Sequence, residues 1–387
     1  MKKNILIFCS WLDTNSLIGI FFREQALLVT EEFNPLLVVF KKMPLNRLYI
    51  NIKKNLKIIE KKTIENLTVL EVLYPYHRLL PKKINNYFEK LALESLYNYM
   101  KCNNIKVSLI HAQSLFDAGI WAYHYATKFR IPYIVTEHNQ LSFFNVERDK
   151  CELIRKTLQK SELNLVVSND KIRQFIANGL YFKFENIGNL INKNFYYKAK
   201  NHQNIQQRLV TIGAFTYLKD QETLLKALRL VDKKISNRIE FTWIGYDGWG
   251  GNHDINVKAL LANFQFENID IILIPLLSRD EIAGYLQSSD LFLFSSLTEG
   301  MPVSVLEALA CGLPVFTTNC GGVDEIINEG NGVIYQIKDF VKLSDLIFDF
   351  LNHKLHYNNI TISKQIIDRF GEDVFREKLL SIYKNVK

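Results

Sequence analysis

The stretch Leu291-Phe292-Leu293-Phe294-Ser295-Ser296-Leu297-Thr298-Glu299-Gly300-Met301-Pro302-Val303-Ser304-Val305-Leu306-Glu307-Ala308-Leu309-Ala310-Cys311-Gly312-Leu313-Pro314 reads as a buried strand, a tight turn and a helix. Leu291 to Phe294 is fully apolar, as a strand covered on both faces must be. Gly300 permits the turn, Pro302 suits a first helical turn, and Gly312 with Pro314 closes the helix.

A helix that opens directly after a strand presents unpaired N–H groups and partial positive charge, which suit a diphosphate. Pro302 has no N–H, so the donors are the backbone amides of Gly300, Met301 and Val303. Glu307 lies about one turn into the helix, roughly 6–9 Å along its axis from those amides, which is a phosphate-to-ribose span. Its carboxylate can accept both hydrogen bonds of a ribose diol, whereas Glu299, before the helix, faces the sugar side of the diphosphate. A glutamate near a helix start also serves simply to complement the dipole, so the pair alone decides little.

Outward from this stretch, short apolar runs alternate with amphipathic ones. Ile5–Phe8, Leu36–Phe40, Thr68–Val72, Ser108–His111, Tyr133–Thr136 and Asn164–Val167 form one series of expected strands. Arg208–Ile212, Glu240–Ile244, Asp270–Ile274, Leu291–Phe294 and Pro314–Thr317 form a second. Helical patterns between strands predict an α/β chain with two Rossmann-like, doubly wound parallel-sheet domains facing across a cleft. The polar stretch Asn192–Gln207 marks the break, giving domains over 1–192 and 208–369 with a linker over 193–207. Phe370, Phe375, Leu379, Leu380 and Tyr383 have helical spacing, so 370–387 reads as a C-terminal helix with an apolar face, one that can cross back to the N-terminal domain.

A chain of 387 residues exceeds an ordinary single core, and 48% apolar with 23% charged residues is the balance of a globular enzyme. The opening Met1-Lys2-Lys3 and its apolar run are too short for a signal peptide, and no run is long enough to span a bilayer, so a cytoplasmic location is expected. Cys9, Cys102, Cys151, Cys311 and Cys320 include no Cys-x-x-Cys pair and read as reduced thiols. Of the formal net charge of +8, much gathers in Lys41, Lys42, Arg47, Lys53, Lys54, Lys57, Lys61 and Lys62, with Glu60 the single carboxylate among them. That cluster is either a solvated face or a contact for anionic lipid headgroups or a phosphate-bearing acceptor. It comes with no nucleic-acid-binding motif, so nucleic acid is not an expected partner.

The stretch Glu299 to Glu307, continued by Ala308-Leu309-Ala310-Cys311-Gly312-Leu313-Pro314-Val315 and by Gly321-Gly322-Val323-Asp324-Glu325-Ile326-Ile327, resembles the signature of family 4 glycosyltransferases. The resemblance implies a GT-B fold, a nucleoside-diphosphate sugar as donor, with UDP or GDP as the nucleotide, retention of anomeric configuration, and neither catalytic metal nor cofactor. It implies that Glu299 contacts the sugar, Glu307 holds the ribose, and Met301 and Val303 donate to the phosphates. A second similar stretch, Val210-Thr211-Ile212-Gly213-Ala214-Phe215-Thr216-Tyr217-Leu218-Lys219-Asp220, makes Lys219 the phosphate-binding lysine. Ala214 stands where many members carry Arg, which places more of the leaving-group stabilisation on Lys219 and the helix start. Gly245-Tyr246-Asp247-Gly248-Trp249-Gly250-Gly251 resembles a glycine loop near the nucleotide, and base contacts are expected around Pro275 to Ser278.

In the N-terminal half, Gly19-Ile20-Phe21-Phe22-Arg23-Glu24-Gln25-Ala26 resembles the family's glycine-bearing first loop, where Gly19 would let backbone approach the donor. Tyr133–Thr136 runs into Glu137-His138-Asn139-Gln140, and the carboxyl end of a parallel strand is where α/β sheets bind ligands. The resemblance places His138 beside the transferred sugar; His111 is a second acceptor-side candidate, and Asn189 braces the junction. Glu299, His138 and Lys219 are thus the expected catalytic set. The expected reaction transfers a hexose-type sugar to a glycan, carried on a lipid, in surface polysaccharide biosynthesis at the inner face of the cytoplasmic membrane. The alternatives are a GT-B nucleotide-sugar epimerase and a non-catalytic sugar-nucleotide-binding subunit.

Overall fold

A computed structural model describes residues 2–14, 16, 18–44, 59–139, 146–199, 206–248 and 253–386. The chain divides into two compact units. One comprises Met1–Val167, Lys171–Ile187 and Arg376–Lys387; the other comprises Ser168–Asp170 and Gly188–Phe375.

The first unit holds strands β1 (Lys3–Cys9), β2 (Phe33–Met43), β3 (Ile59–Ile64), β4 (Leu67–Pro75), β5 (Val107–Gln113), β6 (Tyr133–Glu137), β7 (Leu163–Val166) and β8 (Glu185–Asn186). They form one sheet in the order β3-β4-β2-β1-β5-β6-β7-β8, parallel except where β3 meets β4. Helices α1 (Ile20–Leu28), α2 (Lys82–Cys102), α3 (Ile120–Phe129), α4 (Arg148–Lys160) and α5 (Asn169–Ala177) fall between the strands. Leu6, Phe8, Val38, Ile110 and Val135, at sheet positions, are buried in one cluster with Leu96 of α2 and Tyr125 of α3. Ile5, Ile7, Leu37, Val39 and Ile134, which alternate with these along the strands and so face the other side of the sheet, are buried as well, and burial on both faces is why the strands read as continuous apolar runs.

The second unit holds β9 (Arg208–Ile212), β10 (Ile239–Ile244), β11 (Ile269–Ile274), β12 (Leu291–Phe294), β13 (Val315–Thr318) and β14 (Gly332–Tyr335), all parallel, in the order β11-β10-β9-β12-β13-β14. Its helices are α6 (Gln221–Asp232), α7 (His253–Leu261), α8 (Arg279–Ser288), α9 (Val303–Ala310), α10 (Phe340–Leu351) and α11 (Asn359–Phe370). Leu209, Phe241, Trp243, Leu293 and Phe316 anchor its core. The strand order reverses between β9 and β12, and in the first unit between β1 and β5. Such reversals open a crevice at the carboxyl ends of the strands. The loops leading to Lys219 and Glu299 leave β9 and β12, so both residues stand at the reversal.

Several elements differ from the sequence expectations. The segment 370–387 is not one uninterrupted helix from Phe370: α11 ends there and α12 (Glu372–Asn385) starts after Gly371. Gly371 bridges to Ile191, and a Cβ there would come within 2.6 Å of the Tyr196 hydroxyl, so the chain turns at a glycine. From Arg376 onward α12 belongs to the first unit. The second unit starts at Gly188, ahead of the expected break after residue 192, and residues 200–205 of the expected linker lie outside the described residues.

The lysine-rich stretch also changes meaning. Arg47, Lys53, Lys54 and Lys57 lie outside the described residues, but Glu60, Lys61 and Lys62 form part of β3, an outer strand pairing antiparallel with β4. Lys62 and Lys41 both grip the buried Glu71 carboxylate of β4, with Nζ–O distances of 2.9 and 2.6 Å, and the Thr14 hydroxyl donates to the same group at 2.6 Å. Burial pushes the Glu71 carboxyl up, but hydrogen bonds from Lys41, Thr14 and Lys62 outweigh it and hold the group at about 2. The carboxylate therefore ties the loop after β1 to β2, β3 and β4.

A carboxyl held below its unfolded value stabilises the fold above about pH 4.5, and this stabilisation is lost as pH falls toward 2. Glu71→Gln should cost about 1–3 kcal/mol at neutral pH in urea unfolding, and the difference from the parent protein should shrink through that acid window.

Candidate active site

In the second unit the turn between β12 and α9 is held by side chains, by carbonyl oxygens and by the amides of Leu297 and Glu299, the latter donating to Cys320 O at 2.5 Å. Ser295 Oγ donates to the carbonyls of Lys219 and Asp220 at 2.8 and 2.9 Å, and Leu297 N–H donates to Leu218 O at 2.8 Å. Thr318 Oγ1 donates to Ser296 O at 2.5 Å, Ser168 Oγ to Gly300 O at 2.9 Å, and Asn189 Nδ2 to Met301 O at 3.1 Å. Gly321 and Gly322, with φ of 104° and 65°, close over the turn, where an added Cβ would lie 2.6 Å from the carbonyl oxygens of Glu299 and Gly300. Only glycine permits both that backbone and that approach.

Because carbonyls anchor the part of the turn from Gly300 to Val303, its amides are left pointing elsewhere. None of the backbone N–H groups of Gly300, Met301 and Val303 meets an acceptor among the described residues. Gly300 and Met301 are buried, and a buried N–H without a partner is costly unless a ligand completes it. Pro302 precedes α9 rather than opening it, so Val303 is the first helical residue.

Lys219 follows β9 and Glu299 follows β12, and the strand reversal brings them together: Lys219 Nζ donates to Glu299 Oε1 at 2.6 Å. Ser296 Oγ donates to the same oxygen at 2.7 Å. Trp243 Nε1 donates to Gly213 O at 2.8 Å and fixes the start of the loop that leads to Lys219. The pair is about a quarter exposed on the lysine side, so the cation can be shared with an anion arriving from solvent.

Glu307 is buried on α9 and paired with Arg279, the first residue of α8. Arg279 in turn stacks its guanidinium over the Phe195 ring at 4.5 Å. Ser278 caps α8 in a reciprocal box with Glu281, which fixes where Arg279 emerges. A diol at Glu307 would therefore share the carboxylate with a guanidinium. Sequence reasoning stopped at Ser278 and missed Arg279, although a cation directly after the serine of a Ser-x-x-Glu box could have been followed to a neighbouring buried carboxylate.

In the first unit, Gly19 has φ 74° and precedes α1, and a Cβ there would lie 3.0 Å from both Leu12 Cα and the Phe22 ring. Phe21 and Phe22 of α1, with Trp11, surround His138 at centroid distances of 5.0, 5.9 and 6.5 Å. His138 Nε2–H donates to Gln113 Oε1 at 2.6 Å, and the Gln113 amide donates on to Gln25 at 3.0 Å. Gln113 ends β5 and Gln25 lies on α1, so the imidazole is oriented from two elements; neither glutamine carried a sequence signal.

His111 lies in the sheet interior, 1% exposed, with Tyr383 Oη of α12 at 2.8 Å from Nδ1 and Thr136 Oγ1 at 2.7 Å from Nε2. Burial, and then the neighbouring His138, lowers its pKa to about 3 and keeps it neutral. Both ring nitrogens are committed inside the unit, where they fasten α12 to β5 and β6. Glu137 ends β6 beside His138 and is fully buried; burial raises its pKa to about 7 against N–H bonds from Leu115, Asn139 and His138 and the charge of Lys171. Its oxygens accept from Leu115 N and Asn139 N at 2.7 and 2.6 Å, so it pins the loops on either side of His138. Among the described residues no group of three His, Cys, Asp or Glu is placed to hold a metal ion, and no helix is long and apolar enough to cross a membrane.

Two units with parallel sheets, each reversing strand order beside a candidate ligand loop, define the GT-B fold. Residues 192–365 match the family model of glycosyl transferases, group 1. The chain is similar to the amylovoran biosynthesis glycosyltransferase AmsK of Erwinia amylovora, 32% identical over 126 residues, 31% of this chain and 30% of that protein. It is also 34% identical over 111 residues, 28% of this chain and 30% of the relative, to the N,N'-diacetylbacillosaminyl-diphospho-undecaprenol alpha-1,3-N-acetylgalactosaminyltransferase of Campylobacter jejuni. Three curated relatives, AmsK among them, are matched over 30%, 66% and 56% of their own lengths. Among solved structures, Anabaena HepE in complex with UDP-glucose superposes with a TM-score of 0.74 at 14% identity, covering 99% of this chain and 100% of that one.

Two measurements check these couplings. Arg279→Ala leaves the Glu307 carboxylate buried without its cation and should cost about 2–3 kcal/mol in urea unfolding. For Glu137, whose folded pKa lies above the unfolded 4.5, the native state binds the extra proton between about pH 4.5 and 7, so its contribution to stability falls as pH rises through that window. The stability of Glu137→Gln relative to the parent should therefore rise across it, by at most about 1.4 kcal/mol per pH unit, and level off above.

Proposed function

We propose that the chain is a retaining, metal-independent glycosyltransferase that moves a hexose-type sugar from a nucleoside-diphosphate sugar to a glycan acceptor. The observation that carries this reading is the set of unpartnered amides at Gly300, Met301 and Val303 beside the Lys219–Glu299 pair. In this reading the diphosphate takes those N–H groups and shares Lys219, while Glu299, released from part of its bond to Lys219 and still held by Ser296, orients the sugar hydroxyls. Glu307 takes the ribose with Arg279 as its counter-cation. Gly19 and His138 are further residues proposed to serve the substrate, with Gln113 fixing the imidazole tautomer.

The reaction needs no protein nucleophile. An acceptor hydroxyl oxygen bonds to the anomeric carbon on the face the nucleotide leaves, the bond from that carbon to phosphate oxygen breaks, and the departing phosphate takes the hydroxyl proton. Catalysis then rests on positioning and on charge stabilisation at the leaving group. UDP is favoured as the nucleotide by the UDP-glucose in the HepE complex, and a lipid-linked acceptor by the undecaprenol in the name of the Campylobacter jejuni relative. The proposed place of work is surface polysaccharide biosynthesis, on the cytoplasmic side of the membrane.

The test is nucleotide release from a panel of UDP-, GDP- and ADP-sugars in EDTA. One donor should be turned over, and Lys219→Ala and Glu299→Gln should each lower kcat about a hundredfold or more while the fold persists. Release from no donor, or release that EDTA abolishes, would overturn the reading; retained donor binding without turnover in the parent protein would point to a binding subunit.

A further inference from the structure

Helix α2 has two chemically different sides. Ala92, Leu93, Leu96 and Met100 are buried. On another side of its first turns Ile84, Tyr87 and Leu91 follow at three- and four-residue spacing and form a single outward row, 40%, 58% and 38% exposed. Leu79, in the turn before the helix, is 79% exposed. Apolar side chains scattered singly on a surface need no explanation, but an unbroken row of large ones does.

The flanks of this row are cationic. Arg78, Lys82, Lys83 and Lys90 are exposed along the same segment. Lys82 pairs with Glu147, the residue before α4, while Arg78, Lys83 and Lys90 have no carboxylate at ion-pair distance among the described residues. By contrast, the lysines that the sequence singled out are partly neutralised: Lys41 and Lys62 hold Glu71, and Lys42 lies over the Tyr76 ring at 4.4 Å. Among the described residues, Arg78, Lys83 and Lys90 thus carry unpaired positive charge around α2, as Lys61 does on β3.

We propose that the first turns of α2 are the surface by which the protein lies on an anionic lipid bilayer. Leu79, Ile84, Tyr87 and Leu91 sit at headgroup level, and Arg78, Lys83 and Lys90 meet the lipid phosphates. A row one side chain wide, edged by cations, is too narrow to supply the roughly 800 Å² that each partner buries in a stable protein interface. It is the form of a helix lying in the membrane plane, where tyrosine favours the headgroup boundary and each lysine adds about 1 kcal/mol. The net charge of +8 has the matching sign. This inference names the contact face for the membrane-side location proposed above, but it concerns adhesion alone and fails or holds independently of sugar transfer.

Co-sedimentation of the full chain with phosphatidylcholine vesicles, with and without phosphatidylglycerol, tests it. The protein should pellet with the anionic vesicles and be released by salt. Lys83→Gln and Lys90→Gln should each weaken binding about fivefold, and Ile84→Glu with Leu91→Glu at least about tenfold. Lys101→Gln with Lys106→Gln, exposed beyond the row, should weaken it less than either. Circular dichroism and nucleotide release by the same variants show whether they remain folded, as surface substitutions should. Equal pelleting with neutral vesicles, no pelleting, or undiminished binding by the Ile84→Glu, Leu91→Glu variant would overturn the proposal. So would a dimer of the parent protein that this double substitution dissolves, since the row would then be a contact between copies.

Discussion

The carbonyl oxygens of Ser296, Gly300 and Met301 are gripped by Thr318, Ser168 and Asn189, and the turn that bears them is closed from above by Gly321 and Gly322. This arrangement decides the chemistry available to the second unit. The amides of Leu297 and Glu299 are spent on Leu218 and Cys320, whereas the part of the turn from Gly300 to Val303 is secured through its acceptors and keeps its donors for a ligand. The Lys219–Glu299 pair can adapt, since both partners reach solvent, but the amides are fixed in place before any ligand arrives. Preorganised dipoles need not be reoriented when charge develops, which is where electrostatic catalysis draws its strength.

Burial sets a different balance in the first unit. Neutral His111 and the partly protonated Glu137 lie within two adjacent strands, and each gives up its charge to remain buried. Both work as fasteners, one for α12 and the other for the loops beside His138. His138 itself sits among Trp11, Phe21 and Phe22, so its environment is apolar on the ring faces and polar only along the Gln113 relay. An imidazole held this way presents a defined edge rather than a mobile charge.

Much of this was legible in the residues. The eleven expected strands coincide with observed ones because buried parallel strands are largely apolar, as Leu291 to Phe294 and Tyr133 to Val135 are. The three unforeseen strands lack that mark. β3 has charge at Glu60, Lys61 and Lys62 because it is an outer strand, β8 has two residues, and β14 begins at Gly332, where a side chain would strike the Val315 carbonyl. The meeting of Lys219 with Glu299 follows from motif and topology together. Gln113 could not be read, since nothing local in the sequence says which imidazole a distant side chain will find. The helix break at Gly371 was hidden for the same reason: its cause is the Tyr196 hydroxyl, far away along the chain.

The outer strand β3 has a further consequence. Among the described residues, β3 ends the eight-stranded sheet, and an edge strand is a template on which a second molecule could add a strand. Lys61 and Lys62 lie on that strand, and like charges meeting across such a junction repel, so edge-to-edge stacking of copies is disfavoured. Lys62 therefore serves two ends at once, neutralising a carboxylate within its own molecule and keeping neighbouring molecules apart at the concentrations of a crowded cell.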